Sequence, residues 1–166
     1  MTIPFVASGG MADARSLVAA LAMGAAGMNM GTRFVATVEA PVHPNVKKAL
    51  VEANELDTRL VMRALRNTER VLKNRGVDEL LEIERDRGAA LKIEDIHDKV
   101  AGVYPKVMID GDMDAGAWSG GMVAGLIHDV PTVKELIDRI MAEADEIILG
   151  RLAGFLGQPA RAAKVA

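Results

Sequence analysis

A β-α-β pattern over residues 3–34 constrains the fold of this chain more than any other stretch. Ile3–Ala7 is a short apolar run that closes in a Ser-Gly-Gly turn, which is typical of a fully buried parallel strand. Asp13 is placed to cap the helix that follows, and the apolar residues after it recur at helical spacing. A second apolar strand, Met28–Met30, then ends in a Gly-Thr-Arg turn. The stretch therefore predicts two adjacent parallel strands joined by a helix.

The turns after these two strands predict an anion site. Gly9 and Gly10 permit positive φ and a close approach of the backbone to a ligand. In the second turn, Gly31 lets backbone N–H groups face an anion, and Thr32 adds a hydroxyl donor. Neither the P-loop pattern nor the dinucleotide-binding G-x-G-x-x-G pattern occurs here. An ordinary turn, whose glycines serve only geometry, therefore remains the alternative.

The composition is that of a folded globular chain. Half of its 166 residues are apolar, and the formal net charge of −3 argues against a nucleic-acid partner. Cysteine is absent, which excludes disulfides and Cys-based metal sites. The sequence starts without a signal-like segment, and it has no uncharged apolar run long enough to span a bilayer. We therefore expect a cytoplasmic protein without a membrane or nucleic-acid partner.

Two parallel strands are too little sheet for a free-standing α/β domain, because parallel sheets are covered by helices on both faces. Either the neighbouring strands come from another chain, as an N-terminal partner fragment or a homo-oligomer, or the chain is a piece of a larger barrel. On either account the apolar edge beside Ile3–Ala7 is bare, and a bare edge invites pairing or aggregation.

Residues 45–99 show the charge pattern of amphipathic helices. Within them Leu56, Leu60, Val61 and Leu65 are interpreted as part of one helical apolar face. A modest cluster of cations is interpreted as a solvated helix end, with contact to an anionic substrate as the alternative. The cluster comprises Arg66, Arg70, Lys73 and Arg75.

The clearest helix of the chain is predicted after Thr132, which forms a T-x-x-E capping box with Glu135. An apolar stripe follows and continues to Ile148. Upstream of this helix, two interpretations of Trp118–Met122 stay open: close approach to a flat ring, or tight helix packing alone.

No catalytic or metal-binding residue is assigned from the sequence. His43, between two prolines, is interpreted as a turn residue that opens a helix rather than as a base. His128 is interpreted as a loop residue that caps the preceding helix end. The group around His97 has too few ligands for a metal, and the loop from Asp110 lacks the glutamate that a calcium loop needs at its twelfth position.

Several separated motifs resemble the nitronate monooxygenase family, also called 2-nitropropane dioxygenases. The stretch 3–34 resembles the C-terminal barrel strands of that family, and it is similar as well to the related FMN-dependent enoyl-acyl-carrier-protein reductases. The resemblance covers nearly the whole chain. It continues through residues 40–43, 67–71, 111–112, 118–122 and 125–129.

The resemblance implies an α/β fold, namely the last two strands of a TIM (β/α)8 barrel with an appended small helical domain. The implied parts are barrel strands at 1–44, the helical domain at 45–110, a return segment with the C-terminal helix at 111–157, and a tail at 158–166. It further implies FMN as cofactor. The residues implied to hold the FMN phosphate are Gly9, Gly10, Asn29, Met30, Gly31 and Thr32.

The implied activity is the oxidation of alkyl nitronates by O2 to a carbonyl compound and nitrite. The family's catalytic histidine lies on an earlier barrel strand, which precedes Ile3, and none of the three histidines here matches its motif. Two alternatives remain. One is an enoyl reductase that shares the flavin turns, and the other is a non-catalytic fragment that lacks the N-terminal catalytic half.

Overall fold

The structure of the protein is a computed structural model, and it describes residues 3–156. Two compact units divide the chain. The first unit comprises the residues up to Gly31 together with those from Pro131 onward, and the second comprises residues 32–130. The predicted tail at 158–166 lies outside the described residues. Within residues 3–156, no helix is both long and apolar enough to cross a bilayer.

The described residues form four strands and seven α-helices. The strands are β1 (Val6–Ser8), β2 (Gly27–Asn29), β3 (Thr58–Val61) and β4 (Glu69–Leu72). The helices are α1 (Ala14–Ala22), α2 (Thr32–Val35), α3 (Pro44–Glu52), α4 (Arg75–Arg87), α5 (His97–Val100), α6 (Val103–Met108) and α7 (Val133–Glu146). Short 3₁₀ helices lie at Gly88–Ala90, Ile93–Ile96 and Met122–Leu126, and a π-helical segment, Ile147–Leu152, follows α7.

The predicted β-α-β unit is confirmed in the first unit. β1 and β2 pair in parallel, with Val6 opposite Gly27 and Ser8 opposite Asn29. The Asp13 side chain caps α1 by accepting the backbone N–H of Ser16 at 2.9 Å, as its position in the sequence predicted. The α/β class is therefore confirmed. The described residues contain only these two parallel strands, in one sheet, and no closed barrel.

The prediction of a fully buried strand at Ile3–Ala7 is wrong. The strand starts at Val6, and Val6 as a residue is 56% exposed. The physical reason is that β1 has a neighbouring strand on one side only, because among residues 3–156 only β2 pairs with it. Apolar side chains that are typical of a sheet interior therefore face solvent. The expectation of a bare apolar edge is confirmed for the described part of the chain.

Helix α7 confirms the predicted capping box and helix. The Thr132 N–H donates to the Glu135 carboxylate at 2.8 Å, and the Glu135 N–H donates to Thr132 Oγ1 at 3.2 Å. α7 packs on α1, where Ala144 joins Ala14 and Val18 in a small core. Part of the predicted apolar stripe is buried and part is exposed. Leu136, Ile140 and Ala144 are buried, whereas Ile137, Met141 and Ile148 are exposed.

The second unit contains a β-hairpin where the sequence predicted helix. β3 and β4 pair antiparallel, with Thr58 opposite Leu72 and Val61 opposite Glu69. The helical interpretation of Leu56, Leu60, Val61 and Leu65 is therefore wrong. Leu60 and Val61 lie within β3, and the other two lie in turns. Leucines spaced by four or five residues satisfy a helical period by chance in so short a segment. The helices predicted on either side, α3 and α4, are confirmed.

Two cores hold the second unit together. The first is centred on Trp118 and the second lies between the hairpin and α4. The fully buried members of the first core include Val46, Leu50, Val103, Val107, Trp118 and Ile127. Those of the second core include Val61, Val71, Val77, Leu80 and Ile96.

Candidate functional site

The parallel register brings the two predicted phosphate turns side by side. Ser8 and Asn29 are directly opposite each other at the carboxyl ends of β1 and β2. The Asn29 side-chain amide donates to Ser8 Oγ at 3.3 Å and so ties the two strand ends together. The Gly9–Gly10 turn and the Met30–Gly31 turn begin at the next residues. Carboxyl ends of parallel strands are where open α/β sheets bind ligands.

The glycine turns leave open space for a ligand. Gly9 and Gly10 have φ of 84° and 74°, in the left-handed region that side chains disfavour. A Cβ built on Gly9, Gly10 or Gly31 meets no heavy atom within 4 Å. An anion can therefore approach the backbone of both turns without displacing other groups. Ser8 Oγ accepts from Asn29, which leaves its hydroxyl hydrogen available to such an anion.

Thr32 is the first residue of α2 and belongs to the second unit. Its Oγ1 accepts the backbone N–H of Gly121 at 3.0 Å, which leaves its hydroxyl hydrogen free to donate to an anion. This bond links Thr32 to the Trp118–Met122 stretch whose interpretation the sequence left open. Within the first unit, the donors at the two turns are peptide N–H groups and the Ser8 hydroxyl, a set that fits a phosphate group.

Arg33 does not belong to this donor set, although it follows Thr32 directly. Its side chain is buried within the second unit. One guanidinium nitrogen lies 2.8 Å from Asp129 Oδ1, and another donates to the Asp129 carbonyl at 3.2 Å. Arg33 therefore serves the structure around α2.

A hydrogen-bonded cluster of Tyr104, Ser119 and Glu69 was missed by the sequence reasoning. The Tyr104 hydroxyl donates to Ser119 Oγ at 2.5 Å, and Ser119 Oγ in turn donates to Glu69 Oε1. The backbone N–H of Ser119 donates back to the Tyr104 oxygen at 3.0 Å. The bonds of the cluster are solvent-exposed, and Ser119 lies two residues before Gly121 in the chain. No sequence signal pairs Glu69 with Ser119, because they are fifty residues apart.

The structure confirms the helix-opening interpretation of His43, whereas the capping interpretation of His128 stays a prediction. His43 is the N-cap of α3, and its Nδ1 accepts the backbone N–H of Asn45 at 3.1 Å, which confirms the helix-opening role. His128 is exposed beyond the 3₁₀ helix that ends at Leu126. That helix is capped by the backbone N–H of Ile127, which donates to Ala124.

The acidic groups near the return segment also have structural partners. Asp114 Oδ1 accepts the backbone N–H of Arg75 at the start of α4, at 2.9 Å. Asp112 Oδ1 accepts the N–H of Asp114 at 3.2 Å. Within residues 3–156, no group of three or more His, Cys, Asp or Glu side chains is arranged to hold a metal ion.

Comparisons with known proteins identify relatives over most of the chain. The family model described as nitronate monooxygenase matches residues 1–143. A methyl-oxo-octahydro-indene-carboxyl-CoA dehydrogenase from Mycobacterium tuberculosis is 32% identical, over 86% of this chain and 50% of the relative. A probable nitronate monooxygenase from Bacillus subtilis is 28% identical, over 86% of this chain and 40% of the relative.

Solved structures match nearly the whole chain as well. FabK from Thermotoga maritima superposes with a TM-score of 0.85 at 34% identity, and the match covers 93% of this chain and 48% of FabK. A nitroalkane oxidase from Streptomyces ansochromogenes matches with a TM-score of 0.66 at 27% identity, over 92% of this chain and 42% of the oxidase.

The curated relatives that match 86% of this chain are longer proteins, and the chain spans half of their length or less. The family match nevertheless covers well over half of the chain's own residues, and it includes both glycine turns, the hairpin and the return segment. The chain therefore belongs to the nitronate monooxygenase family.

Proposed function

We propose that this chain supplies the FMN phosphate site of a flavin-dependent oxidoreductase that converts alkyl nitronates, with O2, into carbonyl compounds and nitrite. The observation that carries the proposal is the register of β1 and β2. It places Ser8 opposite Asn29 and sets two open glycine turns next to each other. When bound, FMN supplies the electron exchange between substrate and O2.

The proposed task of this chain is to bind and orient the cofactor. Backbone N–H groups at Gly9–Gly10 and Met30–Gly31, with the Ser8 hydroxyl, hold the phosphate. The Thr32 hydroxyl is a further proposed donor, because Thr32 follows Gly31 directly in the chain. Asn29 holds Ser8 in place through its side-chain amide. No residue of the chain is assigned to the chemical step.

We also propose that β1 and β2 are the last two strands of a (β/α)8 barrel. The exposed apolar residues of β1 support this, because parallel barrel strands have a neighbour on each side. The strand that neighbours β1 in such a barrel is proposed to come from residues outside this sequence, of which an N-terminal partner fragment and a second copy of the chain are two possible sources. The small-molecule nitronate and O2 are the other partners.

Acyl thioesters are the second candidate substrate class. The relative from Mycobacterium tuberculosis, named as a CoA dehydrogenase, is 32% identical, against 28% for the named nitronate monooxygenase from Bacillus subtilis. The enoyl-acyl-carrier-protein reductases that the sequence resembles also act on thioesters. Two assays distinguish the candidates. Oxygen uptake with an alkyl nitronate supports the first candidate, and NADH oxidation with a crotonyl thioester supports the second.

The phosphate site is tested by titrating FMN fluorescence with the purified chain. Gly31→Arg places a large side chain over the turn, and Gly150→Arg is its matched control. Both glycines face open space and neither has a positive φ. We expect quenching by the wild type and by Gly150→Arg, and its loss in Gly31→Arg. Equal quenching by both variants contradicts the site, and absent quenching by folded wild type favours the non-catalytic alternative.

A further inference from the structure

The β3–β4 hairpin concentrates positive charge in a chain that is acidic overall. Between residues 59 and 73 the sequence contains five cations and a single carboxylate, Glu69, whereas the whole chain carries −3. We call these five residues the cationic hairpin. They are Arg59, Arg63, Arg66, Arg70 and Lys73.

The hydrogen bonds of the cationic hairpin leave most of its charge uncompensated. Arg59 donates to the backbone carbonyls of Leu56 and Thr58, and Arg70 donates to Thr58 Oγ1 at 2.8 Å. These acceptors are neutral, so they orient the guanidinium groups without cancelling their charge. The one carboxylate of the segment, Glu69, accepts the hydroxyl of Ser119.

The loop at the tip of the hairpin has an unusual backbone. Met62 and Arg66 have φ of 58° and 55°, and they are the only residues other than glycine with positive φ in the part of the chain that the structure describes. Two bonds close the loop: the Arg66 N–H donates to Arg63 O at 3.1 Å, and the Asn67 N–H donates to Met62 O at 3.2 Å. Such conformations persist where the surroundings enforce them, and they concentrate at functional sites.

The surroundings do enforce this conformation. The Met62 side chain is 5% exposed and packs in the core between the hairpin and α4. Glu84 lies on α4, and burial raises its pKa against the opposing effects of the nearby Met62 and Arg63 backbone and of the Arg63 charge. Arg63 and Arg66 themselves are exposed. The loop thus presents two guanidinium groups from an anchored backbone.

We propose that the tip of the cationic hairpin, at Arg63 and Arg66, binds the phosphate groups of a coenzyme A thioester. Arginine forks match phosphate oxygens in pairs, and several cations suit a ligand with several phosphates better than a singly charged nitronate. The inference rests on the proposed function for the chemistry at the flavin. Within that function it favours the second candidate substrate class, the acyl thioesters, over the alkyl nitronates. Binding of the nucleotide part, however, needs only residues of the hairpin.

Calorimetric titration of the full chain with coenzyme A and with adenosine 3′,5′-bisphosphate tests this site. The test variant is Arg63→Gln/Arg66→Asn, because asparagine tolerates the positive φ at position 66 better than most residues do. The matched control is Arg85→Gln/Lys106→Gln, which removes the same charge from exposed positions elsewhere in the second unit. Circular dichroism verifies that each variant folds.

We expect the test variant to weaken both probes at least tenfold and the control to stay within about twofold, with affinities that fall as salt increases. FMN quenching stays unchanged in the test variant. Three results overturn the proposal: no binding by wild type, equal losses in both variants, or binding of an acidic carrier protein without coenzyme A. Nucleotide binding that is intact in a chain unable to bind FMN overturns the proposed flavin site and leaves the hairpin site standing.

Discussion

Arg33 and Asp129 form an ion pair whose two ends differ in exposure. Their closest atoms, Arg33 Nη2 and Asp129 Oδ1, are 2.8 Å apart, and the side chains are 3% and 45% exposed. A second guanidinium nitrogen donates to the Asp129 carbonyl at 3.2 Å. The pair joins α2 to the stretch after the 3₁₀ helix Met122–Leu126. It thereby holds Arg33, the residue that directly follows Thr32, in place.

Asp129→Ala is expected to lower the free energy of unfolding by about 2 kcal/mol, because it removes the carboxylate that faces a buried guanidinium. The value is below that of a fully buried pair, since Asp129 is half-exposed. Urea unfolding monitored by Trp118 fluorescence measures it. Lys48→Ala breaks the exposed Lys48–Glu52 pair and serves as control, with an expected loss below about 0.5 kcal/mol. A similar loss in both variants contradicts the structural role of Arg33.

Asp13 makes stability depend on acid pH. Burial alone raises the pKa of Asp13, but hydrogen bonds from Ser16 and Arg15 outweigh it and hold the pKa below 3.8. A carboxyl with a depressed pKa in the folded state contributes stability above its unfolded pKa and loses it as pH falls through the folded value. Asp13→Ala is expected to cost about 1 kcal/mol at pH 7. The difference from wild type shrinks below pH 3.8. Thermal unfolding at a series of pH values measures this, and a difference that is constant with pH rules out the carboxylate as its source.

The bare edge of β1 is expected to cause self-association. Val6→Lys places a charge on that strand, where it disfavours strand pairing between chains, and we expect a larger monomer fraction in analytical ultracentrifugation. Val38→Lys is the matched control, since Val38 is 57% exposed and lies outside every strand. If both lysines change the monomer fraction equally, added charge rather than the strand edge explains the effect.

Gly116 is required by both its backbone and its surroundings. It has φ of 145°, and a Cβ there lies 2.3 Å from the Lys99 carbonyl oxygen. Gly116→Ala is therefore expected to destabilise the chain by more than about 2 kcal/mol, as other strained or overpacked sites do. Gly154→Ala has open space around its Cβ and serves as control. Denaturant midpoints compare the two, and a small loss at Gly116 shows that the return segment relaxes freely.

Local signals in the sequence predicted much of the fold because their causes are local. The cap at Asp13, the capping box at Thr132 and the helix-opening role of His43 involve partners within three residues. The β-α-β unit also follows from nearby residues, since a strand, a crossover helix and a parallel strand are consecutive in the chain. The assignment of phosphate-binding residues to its two turns stays a prediction.

The hairpin and the polar clusters depended on contacts that no short window contains. Leu60 lies in a strand because β4 pairs with it, although its spacing from Leu56 also satisfies a helix. Ser119 meets Glu69 and Tyr104 only after the return segment passes the hairpin. The sequence by itself determined the β-α-β unit, its caps and the family, because these reside in adjacent residues. Only the tertiary structure decided the backbone of the cationic hairpin, the Arg33–Asp129 pair and the exposure of β1, because long-range pairing and burial determine them.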